Sequence, residues 1–214
     1  MYANVETLAA LPLALGLRPM LGPGRRHQIG DFNLSPRGLD QFNDLLARLG
    51  RSQPLDCDQI ATAARSLIDA GAEEALPTCI AQRLRRVEVL GPLLADRSWA
   101  PAEGAGERLH VVQDYVLGSN DLIPDWLPRI GRLDDAIVID TAWSLLFAEV
   151  MDYGDFCRLR VLEAEMRGRT PASFRFDRQD WMVSRQAEAD LRAHQQRVRD
   201  GSYVPGATRY FRVH

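Results

Sequence analysis

Lysine is missing altogether: the 26 basic residues are all arginine, set against 29 acids, and the formal net charge is −3. An arginine-only composition reads first as a GC-rich coding bias in a bacterial-type sequence. Arginine favours bidentate contacts to phosphate or carboxylate, yet a slightly acidic total offers no general attraction to nucleic acid. Cysteine is scarce too. Cys57, Cys79 and Cys157 lie far apart with no CxxC pair, which excludes zinc-finger spacing and a dithiol redox motif. At 214 residues the chain can bury a core without disulfide staples. Free thiols in this arrangement fit a reducing, cytoplasmic setting.

Long apolar runs are absent as well. Residues 8–17 are apolar, but the stretch is short, contains Pro12, has no basic residue before it and is followed by Arg18, so no signal peptide is expected. No window approaches the roughly 20 uncharged residues of a membrane-spanning helix. The segment Gly22-Pro23-Gly24-Arg25-Arg26 is a loop with a basic end and not a phosphate-cradling motif. There is no histidine–glutamate zinc pair, and serines and histidines are too few and scattered for a catalytic triad.

Alternating strand patterns are nearly lacking, whereas leucine, alanine and arginine recur at helical spacing. The expected fold is all-α, a multi-helix bundle around a central apolar helix that follows an aspartate- and proline-rich hairpin turn. Ser35-Pro36 reads as an N-cap and first helical position, with Leu39, Phe42, Leu45, Leu46 and Leu49 on one face and Gly50 as the stop. Further helices are expected over residues 58–70, with Gly71 as stop, from Pro77 to an interruption at Gly91-Pro92, and over 108–117. Beyond a turn-rich stretch at 118–132, a very apolar helix is predicted over 134–151, another over 153–167 and a last one over 177–200. Glu188 and Arg192 support that last helix as a pair four residues apart. Gly104 and Gly106 make residues 101–107 a linker, which leads to three expected regions: 1–103, an N-terminal helical region; 104–170, a helical core; and 171–214, a long helix with a docked aromatic tail.

Charge is unevenly spread: residues 120–155 carry two arginines and eight acids, whereas 158–214 carry twelve arginines and seven acids. The acidic centre holds the one motif in the chain. Asp121-Leu122-Ile123-Pro124-Asp125 is followed by Trp126, Pro128, Gly131 and the pair Asp134-Asp135, which opens the apolar helix. This run resembles the YkvA-like family of unknown function, whose signature has the same DLIPD stretch and then proline, glycine and a double aspartate. The resemblance spans about residues 108–150. It implies a small helical hairpin, sometimes attached to membrane-bound proteins, and no chemistry to carry over. The entry to the turn departs from the family pattern, with Tyr115-Val116-Leu117-Gly118-Ser119-Asn120 before the first aspartate.

Two readings of the aspartates stay open. As structural groups, Asp121 caps a short turn, Gly131 supplies a left-handed position, and Asp134 caps the next helix with Asp135 in its first turn. As ligands, Asp121, Asp125, Asp134 and Asp135 form an oxygen-rich site for Mg²⁺, Mn²⁺ or Ca²⁺, with His110 and Asp114 within reach on the preceding helix. Arg129 and Arg132 are available to pair with the acids in the first case. Trp126 and Trp143 are expected to stack in the core, a ligand-binding box being the alternative.

The residues therefore assign no reaction. The leading expectation is a helical scaffold or adaptor that presents the hairpin to a protein partner, with peripheral membrane contact left open and no cofactor. Nucleic-acid binding through the arginine-rich residues 158–214 is the third and weakest reading, because Glu188, Asp190 and Asp200 interrupt the stripe. The alternative is a divalent-metal-dependent hydrolase or nuclease that activates water at the four aspartates.

Overall fold

The structure is a computed structural model that describes residues 8–17, 27–70 and 76–202. Among them a 3₁₀ turn at Leu13–Gly16 and a two-residue antiparallel ladder, β1 (Gln28–Ile29) with β2 (Phe32–Asn33), precede seven helices. These are α1 (Pro36–Arg48), α2 (Cys57–Asp69), α3 (Thr78–Val87), α4 (Leu90–Ala95), α5 (Ala105–Val116), α6 (Leu133–Met166) and α7 (Arg178–Ser202). The fold is all-α, with strand among the described residues confined to the short ladder. Two compact units divide inside α6, one ending at Tyr153 and the other beginning at Gly154.

Local rules set most helix ends in the first unit. Ser35 Oγ accepts from Gly38 N–H at 3.2 Å with Pro36 in the first turn, and Gly50, at φ +99°, follows the end of α1. Asp56 and Gln59 form a reciprocal capping box on α2, with bonds of 2.7 and 2.8 Å. The stop expected at Gly71 lies outside the described residues. Gly91 and Pro92 do not end a helix but sit in the first turn of α4, where the missing proline N–H leaves no helical bond unmade. α5 starts at Ala105, inside the stretch expected to be a linker, directly after Gly104 at φ +74°.

The core of this unit is the start of α6, where Leu133, Asp134, Asp135, Ala136, Ile137, Val138 and Ile139 are all buried. A helix apolar on nearly every side has to be central. The break expected near residue 152 is not there, and α6 runs unbroken for 34 residues. Gly154 costs a helix only about 1 kcal/mol, and Tyr153 before it and Phe156 after it are both buried. Two buried charges brace the helix. Arg83 donates to Asp140 at 2.8 Å and to the carbonyls of Ala9 and Cys79 at 2.9 Å. Glu149 accepts from Trp99 Nε1 at 2.8 Å and from Ala102 N–H at 3.3 Å.

In the second unit Phe156 stacks on Phe176 at 5.6 Å, and Trp181 Nε1 donates to Asp155 at 3.0 Å. Asp177 caps α7, accepting from Gln179 and Asp180 N–H at 2.8 and 3.1 Å. Past Trp181 the helix is largely exposed and carries the Glu188–Arg192 pair on its surface. The tail expected to dock, residues 203–214, lies outside the described residues. All three cysteines are free thiols. No helix among the described residues is long and apolar enough to cross a membrane.

Candidate functional site

α5 delivers Tyr115 near its last turn, residues 117–132 reverse the chain, and α6 begins at Leu133. Backbone bonds within the reversal run from Leu127 N–H to Pro124 O at 3.0 Å, from Ile130 N–H to Pro128 O at 2.8 Å and from Gly131 N–H to Leu127 O at 3.0 Å. The left-handed residue of the turn is Arg129, at φ +67°, and not Gly131 as expected. Glycine is required at 131 for space: a Cβ there would lie 2.4 Å from Asp125 O. The guanidinium of Arg129 donates to Leu67 O at 3.0 Å, which ties the strained residue to α2.

Asp134 is the central group of the turn. Its Oδ2 accepts from Leu122 N–H at 2.8 Å, from Ile123 N–H at 3.1 Å and from the Tyr115 hydroxyl at 2.8 Å. The carboxylate therefore satisfies the backbone of the preceding turn and does not cap its own helix, because its side chain points back from the second position of α6 toward residues 122–123. Asp121 likewise makes no capping bond to the turn after it. It stands half-buried at the edge of a groove.

Arg132 joins the remaining acids. Its Nη1 donates to Asp125 Oδ2 at 2.6 Å and lies 3.4 Å from Val116 O and 3.1 Å from Asp135 Oδ2. Its contact with Asp135 is Coulombic, since neither Asp135 oxygen has a hydrogen-bond donor. Asp134 Oδ1 is buried without a donor as well. Two neighbouring carboxyl groups thus sit in the core with three oxygens unbonded.

Such burial disfavours the charged form. Burial first, and then the charge of Asp134, push the Asp135 carboxyl up to about 8 despite Arg132. Burial also raises Asp134, to about 6, the rise being held down by its bonds from Ile123 and Tyr115. Asp121 is raised by burial and by the Asp125 charge. The Tyr115 phenol is raised strongly by burial and the neighbouring Asp134 charge. Burial opposes the Arg132 cation, but its bond to Asp125 and the surrounding carboxylates outweigh that and raise it.

The four aspartates of the sequence motif thus serve different ends: Asp134 holds backbone, Asp125 holds an arginine, Asp135 is sealed in the core and Asp121 faces a groove. Among the described residues no three histidine, cysteine, aspartate or glutamate side chains converge to hold a metal ion. His110 and Asp114 are both exposed on α5. Trp126 does not stack on Trp143. It is 75% exposed on the turn, whereas Trp143 is half-buried with the Arg86 guanidinium 4.2 Å from its ring centre. Sequence reasoning missed Tyr115 as a partner of Asp134, and no spacing rule links residues 19 apart across a turn.

Residues 115–139 match the model of a family described as "Protein of unknown function (DUF1232)". No curated protein and no solved structure matches the chain. The matched span begins at Tyr115 and ends beyond Asp135, and so takes in the hydroxyl, the carboxylate and the turn that they close.

Proposed function

We propose that the chain is a helical scaffold or adaptor that presents its aspartate turn to a protein partner, a reading that keeps the narrower likeness to the YkvA-like family. One observation carries it: Trp126, a large aromatic, stands 75% exposed on a turn locked from beneath by Asp134, Gly131 and Arg132. Exposed aromatics on pre-organised backbone are the usual anchors of protein interfaces, because little entropy is lost when they are covered. A photo-crosslinking residue placed at 126 in the full chain should give one discrete protein adduct in cells, and one at exposed Asp69 should not. Trp126→Ser should leave the melting temperature unchanged and prevent co-purification of that partner. Equal labelling from both positions would sink the reading.

The alternative, a divalent-metal-dependent hydrolase or nuclease using Asp121, Asp125, Asp134 and Asp135, draws support from the three buried carboxylate oxygens without donors. Calorimetric titration with Mn²⁺ separates the two readings. Saturable binding that is lost in Asp135→Asn would favour the enzyme, and absence of heat would leave the scaffold.

A further inference from the structure

Beside the motif turn, α1 and α5 approach each other only loosely. They touch through Phe42 and Tyr115, whose rings lie 5.7 Å apart and 47° to one another, and through the Arg48–Glu107 pair at 3.5 Å. A groove of about 850 Å³ is left between them, lined along α1 from Gly38 to Arg48 and closed at one end by residues 118–122. At 1.5 Å rise per residue, that stretch of α1 is about 15 Å long, or some three helical turns. Its apolar lining comes from Leu45, Val111 and the Tyr115 ring over buried Phe42, and its polar lining from Gln41, Ser119 and Asn120 together with the acids Asp114 and Asp121.

The charges of this groove are unbalanced. Neither Asp114 nor Asp121 is ion-paired within the described residues, and Arg48, the single cation in the lining, already faces Glu107. Arg132, the nearest cation on the turn, is ion-paired with Asp125 and reaches Asp121 only through its longer-range charge. Apolar side chains beside a rim with a net acidic excess disfavour phosphate, whether from nucleic acid or from anionic lipid. They complement a chain that offers apolar side chains and cations together.

We propose that this groove docks a basic, amphipathic segment of the protein partner, with the aliphatic stems of arginine or lysine lying over half-buried Leu45 and Val111 and their charged heads meeting Asp114 and Asp121. Long cationic side chains suit such a site because stem and head separate their apolar and polar needs. The inference rests on the scaffold reading for the existence of a partner, but it concerns a surface that does not include Trp126.

The test uses the full chain and a labelled twelve-residue peptide with leucine on one helical face and arginine on the other, read by fluorescence anisotropy. Binding should be saturable and should weaken about tenfold or more in Asp114→Asn/Asp121→Asn, as expected for loss of two charge-assisted contacts. It should be unchanged in Asp31→Asn/Asp69→Asn, which removes the same charge from exposed positions outside the groove. If the Asp121 change perturbs folding, as judged by circular dichroism, Asp114→Arg alone carries the test. Trp126→Ser should bind the peptide normally, so a failed scaffold reading at Trp126 and a failed groove give different results. Equal weakening by both aspartate pairs would mean diffuse charge attraction and overturn the proposal. So would equal binding of an arginine-only peptide, or preference for phosphatidylserine vesicles.

Discussion

At the scale of single residues, the consequential groups are the two carboxyls at the start of α6. Asp134 Oδ2 receives three donors, and Ile123 N–H has no other acceptor there. Asp134→Ala strands buried donors, each costing about 1–3 kcal/mol, so a loss of about 3 kcal/mol or more is expected in urea unfolding. That exceeds the roughly 1 kcal/mol of an ordinary helix cap. Asp135 acts in the opposite sense. Unfolded, its carboxyl titrates near 4, and in the fold it is raised to about 8. The native state therefore holds the proton more tightly than the unfolded chain does. The resulting stabilisation is complete below about pH 4 and is lost as pH climbs through about 8. Asp134, raised to about 6, adds a contribution of the same sign that is lost earlier on the way up. Stability should fall from mildly acidic to mildly alkaline pH, and Asp135→Asn should flatten that fall. A variant profile parallel to the parent's would remove Asp135 from the explanation.

Among the elements, the turn and α6 each rest on a glycine, for opposite reasons. Gly131 has no room, with Asp125 O 2.4 Å from where a Cβ would stand. Gly131→Ala should cost about 2–3 kcal/mol through forced backbone movement. Gly154 has nothing within 4 Å and lies in the interior of a continuous helix. Gly154→Ala should stabilise by about 0.5–1 kcal/mol, since it restricts the unfolded chain and suits the helix. Thermal melts of the two variants should move in opposite directions. A destabilised Gly154→Ala would show that α6 needs the flexibility that its turn-like sequence Asp152-Tyr153-Gly154-Asp155 first suggests.

For the whole molecule, protection should follow burial. Residues 133–139 lie in the core of the first unit, whereas residues 189–201 of α7 are exposed on all sides. A helix held by surface pairs alone is marginal in water. Hydrogen exchange should therefore be slowest at the start of α6 and fastest in the last turns of α7, by several orders of magnitude. Comparable protection in both would mean that α7 is covered in solution by a partner or a second copy.

Helical class, the cap at Ser35, the stop at Gly50 and the centrality of the helix after Asp135 were legible in the sequence, because they depend on side chains within a few residues of one another, whereas the Asp56–Gln59 capping box of α2 went unread. The family match over residues 115–139 falls within the stretch of about 108–150 that the sequence singles out. The roles inside that span were not legible. Asp134 was placed as a cap, Gly131 as the left-handed residue and Trp126 in the core, whereas tertiary packing made Asp134 a buried acceptor for Tyr115 and residues 122–123, gave the positive φ to Arg129 and left Trp126 in solvent. Local rules fix what a residue can do to its neighbours in the chain. Which distant donor reaches a carboxylate, and which ring is left outside, depends on how the helices pack, and for this turn only the tertiary structure decided it.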